Sequence, residues 1–355
     1  MFERVAPEQF DTLPDIPEPA ENPLLVGHRD TADMLVEAYR AGKLHHGILL
    51  AGPQGIGKAT LAFHLAHHLL AHPDRAAAPE SLVAPDPASQ TFRLIAQGAH
   101  PSLLHLTRPY VEKDRKFKTV ITVEEIRRVN RFLSMTSHDG GHRVVIVDPT
   151  DDMNNSAANA LLKSLEEPPP ATIFILVAHS LGRLLPTIRS RCQVIRLKPL
   201  DPEALLSLLE QLGANLPSEP QTRNALIEGA LGSARNAVLM TEYGGLEIAE
   251  MTRRVVEGSS FDVAEAHRLG EGLTGREKAV QFSIFNRGVL ELISDRAAAL
   301  ASKGDMAAAN RMSELWDEVN GKIRDAEIYN LDRKQHVVGL LHRLQLAFAR
   351  EAARM

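Results

Sequence analysis

The residues from Gly47 to Leu61, GILLAGPQGIGKATL, join an apolar run to a glycine-rich turn and a lysine that opens a helical pattern. Gly52, Gly57 and Lys58 satisfy GxxxxGK, with Gly55 inside the turn. In this pattern backbone N–H groups at a helix N-terminus cradle phosphate oxygens while the lysine reaches the outer phosphates. The next position ordinarily supplies a Ser or Thr hydroxyl to Mg²⁺. Here it is Ala59, and Thr60 lies about 100° further round the helix. The expectation is a loop that holds phosphate but handles metal poorly, with Gly52, Gly55, Gly57, Lys58 and Thr60 as nucleotide-binding candidates.

A second motif bears on the same chemistry. Arg143 to Asp148, RVVIVD, reads as a strand covered on both faces and ending in a carboxylate. In a P-loop protein that carboxylate orients Mg²⁺, which makes Asp148 a further candidate. An ATPase of the additional-strand class would follow it with a glutamate that activates water. Pro149 stands there instead and has no side-chain acceptor, while Asp151 and Asp152 are displaced along a proline-constrained turn.

The elements that must position these groups follow from periodicity. Residues 1–23 carry five prolines and several acids and read as an extended, weakly ordered lead-in. A helix follows from about Asp30 to Ala41, then the strand into the glycine-rich turn. From His72 to Ser102 alanine and proline dominate, which suggests an inserted loop. Strand signals return at Leu103 to Leu106, and Thr122 with Glu125 forms a capping box ahead of a helix. Asn154 to Glu167 reads as a helix, Thr172 to Ala178 as a buried strand, Leu184 to Arg191 as a short helix and Gln193 to Leu197 as a last strand. Strands alternating with helices give a doubly wound α/β domain with a parallel sheet, its ligand at the carboxyl ends of the strands. After Pro199 the strand signals stop: three helices occupy 200–244, and 245–355 is helical throughout.

Composition narrows the classes. The chain of 355 residues is long enough for two or three domains, and 44% hydrophobic with 5% aromatic residues fits a helix-rich soluble protein. A net charge of -5 argues against a dominant basic face for nucleic acid. No leader pattern and no apolar run of membrane-spanning length is present, so the expected location is the cytoplasm. The single cysteine, Cys192, rules out an intrachain disulfide and a multi-cysteine zinc site. His45 and His46 lack a partner at ligand spacing, and His64, His67 and His68 lack the glutamate of HExxH, so no metal is assigned to them.

Four segments carry a family resemblance: GHRDTADMLVEAYRAGKLHHGILLAGPQGIGK, NALLKSLEEPP (Asn159 to Pro169), LLPTIRSRCQ (Leu184 to Gln193) and GSAR (Gly232 to Arg235). Together they resemble the bacterial replicative clamp loaders of the AAA+ class, and within them the delta-prime group. The motifs cover roughly residues 24 to 240; beyond that only helical content and NLDRK (Asn330 to Lys334) match. The resemblance implies an AAA+ P-loop domain over 24–199, a three-helix lid over 200–244 and a helical collar over 245–355 that joins a heteropentamer with delta and gamma/tau subunits. Such a complex uses ATP to place the sliding clamp on primed DNA. By the same resemblance Arg191 is an arginine finger acting in trans on a neighbour's ATP, and Arg235 a lid sensor for nucleotide bound in this chain.

The departures from the family separate its members. Ala59, Pro149 and Ala178-His179 stand where motor subunits carry a magnesium hydroxyl, a catalytic glutamate and a polar sensor. Clamp-loader subunits of this group usually carry four cysteines between the P-loop helix and the second strand, and 72–102 contains none, so no zinc is expected. The leading reading is a largely non-hydrolysing subunit, not a competent ATPase by itself, that binds ATP or ADP weakly if at all. A hydrolysing gamma/tau-like motor subunit and a stand-alone P-loop kinase are the alternatives. Measurable turnover by the purified chain favours the first of these, and a metal site with a small-substrate pocket the second.

Overall fold

A strand in the middle of a sheet covered on both faces must be apolar at nearly every position, and three segments meet that condition. In the computed structural model, which describes residues 3–134, 141–329 and 331–352, they lie side by side. The strands are β1 (Gly47–Ala51), β2 (Leu103–Leu106), a small hairpin of β3 (Tyr110–Val111) and β4 (Lys116–Phe117), then β5 (Arg143–Val147), β6 (Thr172–Ala178) and β7 (Gln193–Arg196). Five form one parallel sheet in the order β2-β5-β6-β1-β7. β6 therefore separates the P-loop strand from the strand of Asp148, the additional-strand arrangement.

Side-chain alternation along each strand sorts the core into two layers. Ile48, Leu50, Val144, Ile146, Ile175 and Val177 point to one layer. There they meet Leu35 and Tyr39 of α1 (Arg29–Arg40), Leu61 and Leu65 of α2 (Lys58–Ala71) and Ile95 of α3 (Gln90–Ala96). Leu49, Val145, Val147, Phe174 and Leu176 point the other way, toward α4 (Val123–Ser134), α5 (Asn155–Glu166) and α6 (Pro186–Arg189). Burying a leucine-sized side chain in such a layer contributes about 1.5–3 kcal/mol.

The chain divides into two units: residues 1–213 with 230–235, and residues 214–229 with 236–355. The first holds the sheet and α7 (Pro202–Gln211), capped by Asp201 through the amide of Ala204. The second holds α8 (Pro220–Ala230) up to Gly229 and α9 (Ala234–Glu242) from Asn236. Also in the second are α10 (Gly245–Glu257), α11 (Val263–Gly272), α12 (Ala279–Ser302), α13 (Met306–Tyr329) and α14 (Arg333–Ala352). Its core runs through Phe285, Val289 and Ile293 of α12, Met312 and Val319 of α13, and Leu341 and Leu344 of α14.

Three expectations are corrected. Residues 3–23, the described part of the lead-in, have no regular helix or strand but are not loose. Arg4 pairs with Glu18 at 3.1 Å and donates to the carbonyls of Leu13, Pro14 and Ile16, and Glu21 accepts from the amides of Val5 and Ala6. Buried Ala6 and Leu13 fix the segment further. The 72–102 insertion contains α3, whose Ser89 cap accepts from the Phe92 amide. Within 200–244, the division between the two units falls after Gly213. Glu125 pairs with Arg128 at 2.5 Å, using the carboxylate that the capping box would turn back. Of the NLDRK match, Asn330 lies outside the described residues.

Candidate functional site

The P-loop leaves β1 and turns into α2 with Gly57 as its N-cap in the left-handed region at φ 99°, a conformation open to glycine. A side chain at Gly55 would collide with the Ser233 hydroxyl and with Cβ of Arg235. The GSAR turn thus closes directly on the loop. Ser233 Oγ donates to the Gln54 carbonyl at 2.9 Å and the Arg235 amide to the Gly55 carbonyl at 3.4 Å. On the opposite side, a ring nitrogen of His28 lies 2.6 Å from the Ile56 carbonyl.

Lys58 is 3% exposed, and its Nζ donates to the carbonyls of Gly52 (2.7 Å) and Pro53 (2.5 Å), closing the loop on itself. Burial brings its pKa down to about 8, against the opposing pull of Asp148 and Asp151. Asp148 emerges from β5 with its pKa raised to about 7. Burial is the main cause, with Asp11 adding to it and Lys58 working against it.

Asp151 is not free to act as the missing base. Its two oxygens accept from the amides of His179 (3.0 Å) and Ser180 (3.2 Å), so it fastens the exit of β6. Asp152 pairs with Arg108 Nε at 2.6 Å, and the guanidinium of Arg108 lies 4.0 Å above the Phe10 ring. His179 stays neutral at pH 7, its pKa pulled down to about 4 chiefly by burial and then by Lys58.

The fold brings Gly52, Gly55, Gly57, Lys58, Asp148 and Arg235 to one end of the sheet, with Thr60 on α2 two residues past the lysine. Arg191 lies elsewhere. It precedes β7, whose Gln193 is in register with Ile48, and its carbonyl sits 3.2 Å from where a Cβ on Gly47 would be. It therefore sits at the amino-terminal end of the strands, about 15 Å along β1 from the P-loop. There its guanidinium pairs with Glu166 and donates to the Thr187 carbonyl at 2.9 Å. The neighbouring Cys192 is half-buried, and burial pushes its thiol up to about 11, outside the reactive range.

Four contributors escaped the sequence: Asp11, Gln54, Arg108 and His28. Asp11 accepts from Arg235 Nη2 at its carbonyl (2.5 Å) and from Gln54 Nε2 at its carboxylate (3.2 Å), with Arg235 Nη1 3.5 Å from that carboxylate. A proline-rich lead-in gave no sign of this. His28 had one signal, a Gly-His pair directly before a helix.

Residues 27–201 match the family described as DNA polymerase III, delta subunit. The similarity to that family covers 175 of the 355 residues. The matched segment contains Lys58, Asp148 and Arg191, and leaves Asp11 and Arg235 outside. Curated relatives are named as a different subunit of the same polymerase, subunit delta'. The chain is 39% identical over 213 residues to DNA polymerase III subunit delta' of Pseudomonas aeruginosa, a match that covers 60% of each chain. To the subunit delta' of Escherichia coli K12 it is 33% identical over 171 residues, 48% of each. The chain thus spans between about half and 60% of the length of these relatives. A crystal structure of a DNA polymerase III gamma subunit-related protein from Thermotoga maritima covers 88% of this chain and 99% of its own at 17% identity and a TM-score of 0.42. A likeness that loose does not bear on the site. Among the described residues, no helix is long and apolar enough to cross a membrane, and no three His, Cys, Asp or Glu side chains are gathered to hold a metal ion.

Proposed function

We propose that this chain is a delta-prime-type subunit of a bacterial DNA polymerase III clamp loader, working in the cytoplasm in a heteropentamer with delta and gamma/tau subunits. In this role it is largely non-hydrolysing and lends Arg191 to the nucleotide of a neighbouring motor subunit while the sliding clamp is loaded onto primed DNA. The family segment and the delta' relatives support membership. The single observation that carries the finer reading is the separation within the sheet. The P-loop lacks its metal hydroxyl and its base, while the arginine stands at the opposite end of the strands, where it cannot serve its own loop.

The phosphate cradle fits a nucleotide in part: the glycines, the helix N-terminus and Lys58 are present. Bound ATP or ADP would be held by those groups, weakly and with little dependence on magnesium. The test is reconstitution of the purified chain with delta and gamma/tau subunits. Co-elution on a sizing column, together with clamp- and primer-dependent ATPase that requires this chain, is the expected result. Failure to enter the complex ends the reading.

A further inference from the structure

The P-loop already has an anion beside it, and that anion belongs to the same chain. Asp11 is bonded to Gln54 of the loop and to Arg235, and the neighbouring Phe10 ring lies under the Arg108 guanidinium. Arg235, the group with which the family resemblance would sense nucleotide, is committed to Asp11 through both its backbone carbonyl and its carboxylate. The Asp11 carboxylate thus contacts both the loop, at Gln54, and the turn that closes on it, at Arg235. The segment that delivers it is anchored on its own account. Arg4 is clasped by Glu18 and Glu21 with side chains 14%, 8% and 4% exposed, and Leu13 is buried two residues after Asp11.

We propose that residues 3–22 are a strap across the phosphate side of this chain's own P-loop, in which Asp11 takes the arginine and glutamine contacts that a nucleotide's phosphates need. Strap and nucleotide then compete for one set of groups. An aspartate carboxylate and a phosphate oxygen offer a guanidinium the same kind of acceptor, so the exchange needs no new geometry from Arg235. Because the strap is tethered, its local concentration is high, and free nucleotide must displace it. This would make weak nucleotide binding a property of the strap as well as of the altered magnesium position, whichever complex the chain joins.

The experiment uses the isolated full chain, so its outcome is independent of assembly. ATP is titrated calorimetrically, with and without Mg²⁺, into the unaltered chain, Asp11→Ala, the near-isosteric Asp11→Asn, and Asp11→Ala combined with Arg235→Ala. Both single variants should bind about tenfold more tightly than the unaltered chain. The double variant should lose that gain, because the freed arginine is what the phosphates take. Hydrogen exchange gives a second reading: saturating ATP should speed exchange at the amides of Val5 and Ala6, which are protected by Glu21. Equal affinities for the unaltered and Asp11 chains, no binding by any of them, or unchanged exchange at saturation overturns the proposal.

Discussion

The guanidinium of Arg191 is held against the carboxylate of Glu166, the last residue of α5, and donates a further hydrogen bond to the Thr187 carbonyl. Two segments that the sequence marked separately, NALLKSLEEPP and SRC, are thereby joined at the edge of the sheet away from the P-loop. With side chains 34% and 48% exposed, the pair is a surface ion pair, worth at most about 1 kcal/mol to the fold. Arg191 can leave Glu166 cheaply.

Arg191→Ala is expected to leave this chain's melting temperature and its assembly unchanged. A finger contributes roughly 10³ to 10⁵ in rate at the site it serves. Its loss should therefore lower the steady-state ATPase of the reconstituted complex with clamp and primed DNA, and reduce clamp loading. Arg191→Lys should restore little, since an ammonium lacks the planar fork that meets two oxygens. Wild-type turnover by the alanine variant would leave Arg191 with its ion pair alone.

The isolated chain should hydrolyse no ATP above background, with or without Mg²⁺. Lys58 is spent on the carbonyls of its own loop, Asp151 on two backbone amides, and position 149 has no acceptor. A coupled assay at high protein concentration decides. Turnover that vanishes in Lys58→Ala would refute the non-hydrolysing assignment.

Asp148 makes stability depend on pH in a definite direction. Its folded pKa of about 7 lies above the ordinary carboxyl value, so between about pH 4 and pH 7 the folded chain holds a proton that the unfolded chain releases. Its contribution is present below about pH 4 and is lost as the pH rises through 7. Asp148→Asn, which stays neutral, should raise the melting temperature at pH 8 and change it little at pH 4. Part of the gain is offset because Lys58 loses a neighbouring anion. The shift from 3.8 to about 7 corresponds to about 4 kcal/mol, so a gain on the order of ten degrees is the ceiling at roughly 2–4 °C per kcal/mol for the sheet-bearing unit. Equal shifts at both pH values in a melting series would remove Asp148 as the source.

Residues after 244 contain the apolar surfaces of α10 to α14 and none of the phosphate-binding groups. A chain ending at 244 is expected to retain a cooperative melt of its sheet unit and to fail to co-elute with partner subunits. Normal assembly of that fragment would show that the collar assignment is mistaken.

The sheet was legible because its central strands are apolar at nearly every position and bounded by turn residues, as RVVIVD and TIFILVA show. The P-loop was legible because glycine spacing and a helix start coincide. What remained hidden depends on partners distant in sequence. Arg4 meets Glu18 and Glu21, and Asp11 meets Gln54 and Arg235, in a segment whose prolines and acids have no period to read. α3 was hidden for a different reason: its short apolar face, Phe92 and Ile95, sits among alanines and prolines that mask a Ser89 cap. The two-unit division was missed inside 200–244 because helical periodicity says which face is buried but not against which neighbour.

β6 has no catalytic side chain, yet Ile175 is in register with Ile48 on one side and Ile146 on the other. The strand is thus a ruler laid between Lys58 and Asp148, and Asp151 clamps its end through the amides of His179 and Ser180. Shortening it by one residue would shift one flank by about 3.3 Å and turn every following side chain to the opposite layer. In Thr172–Ala178, therefore, apolar residues can be exchanged for one another at modest cost, while the number of residues cannot change.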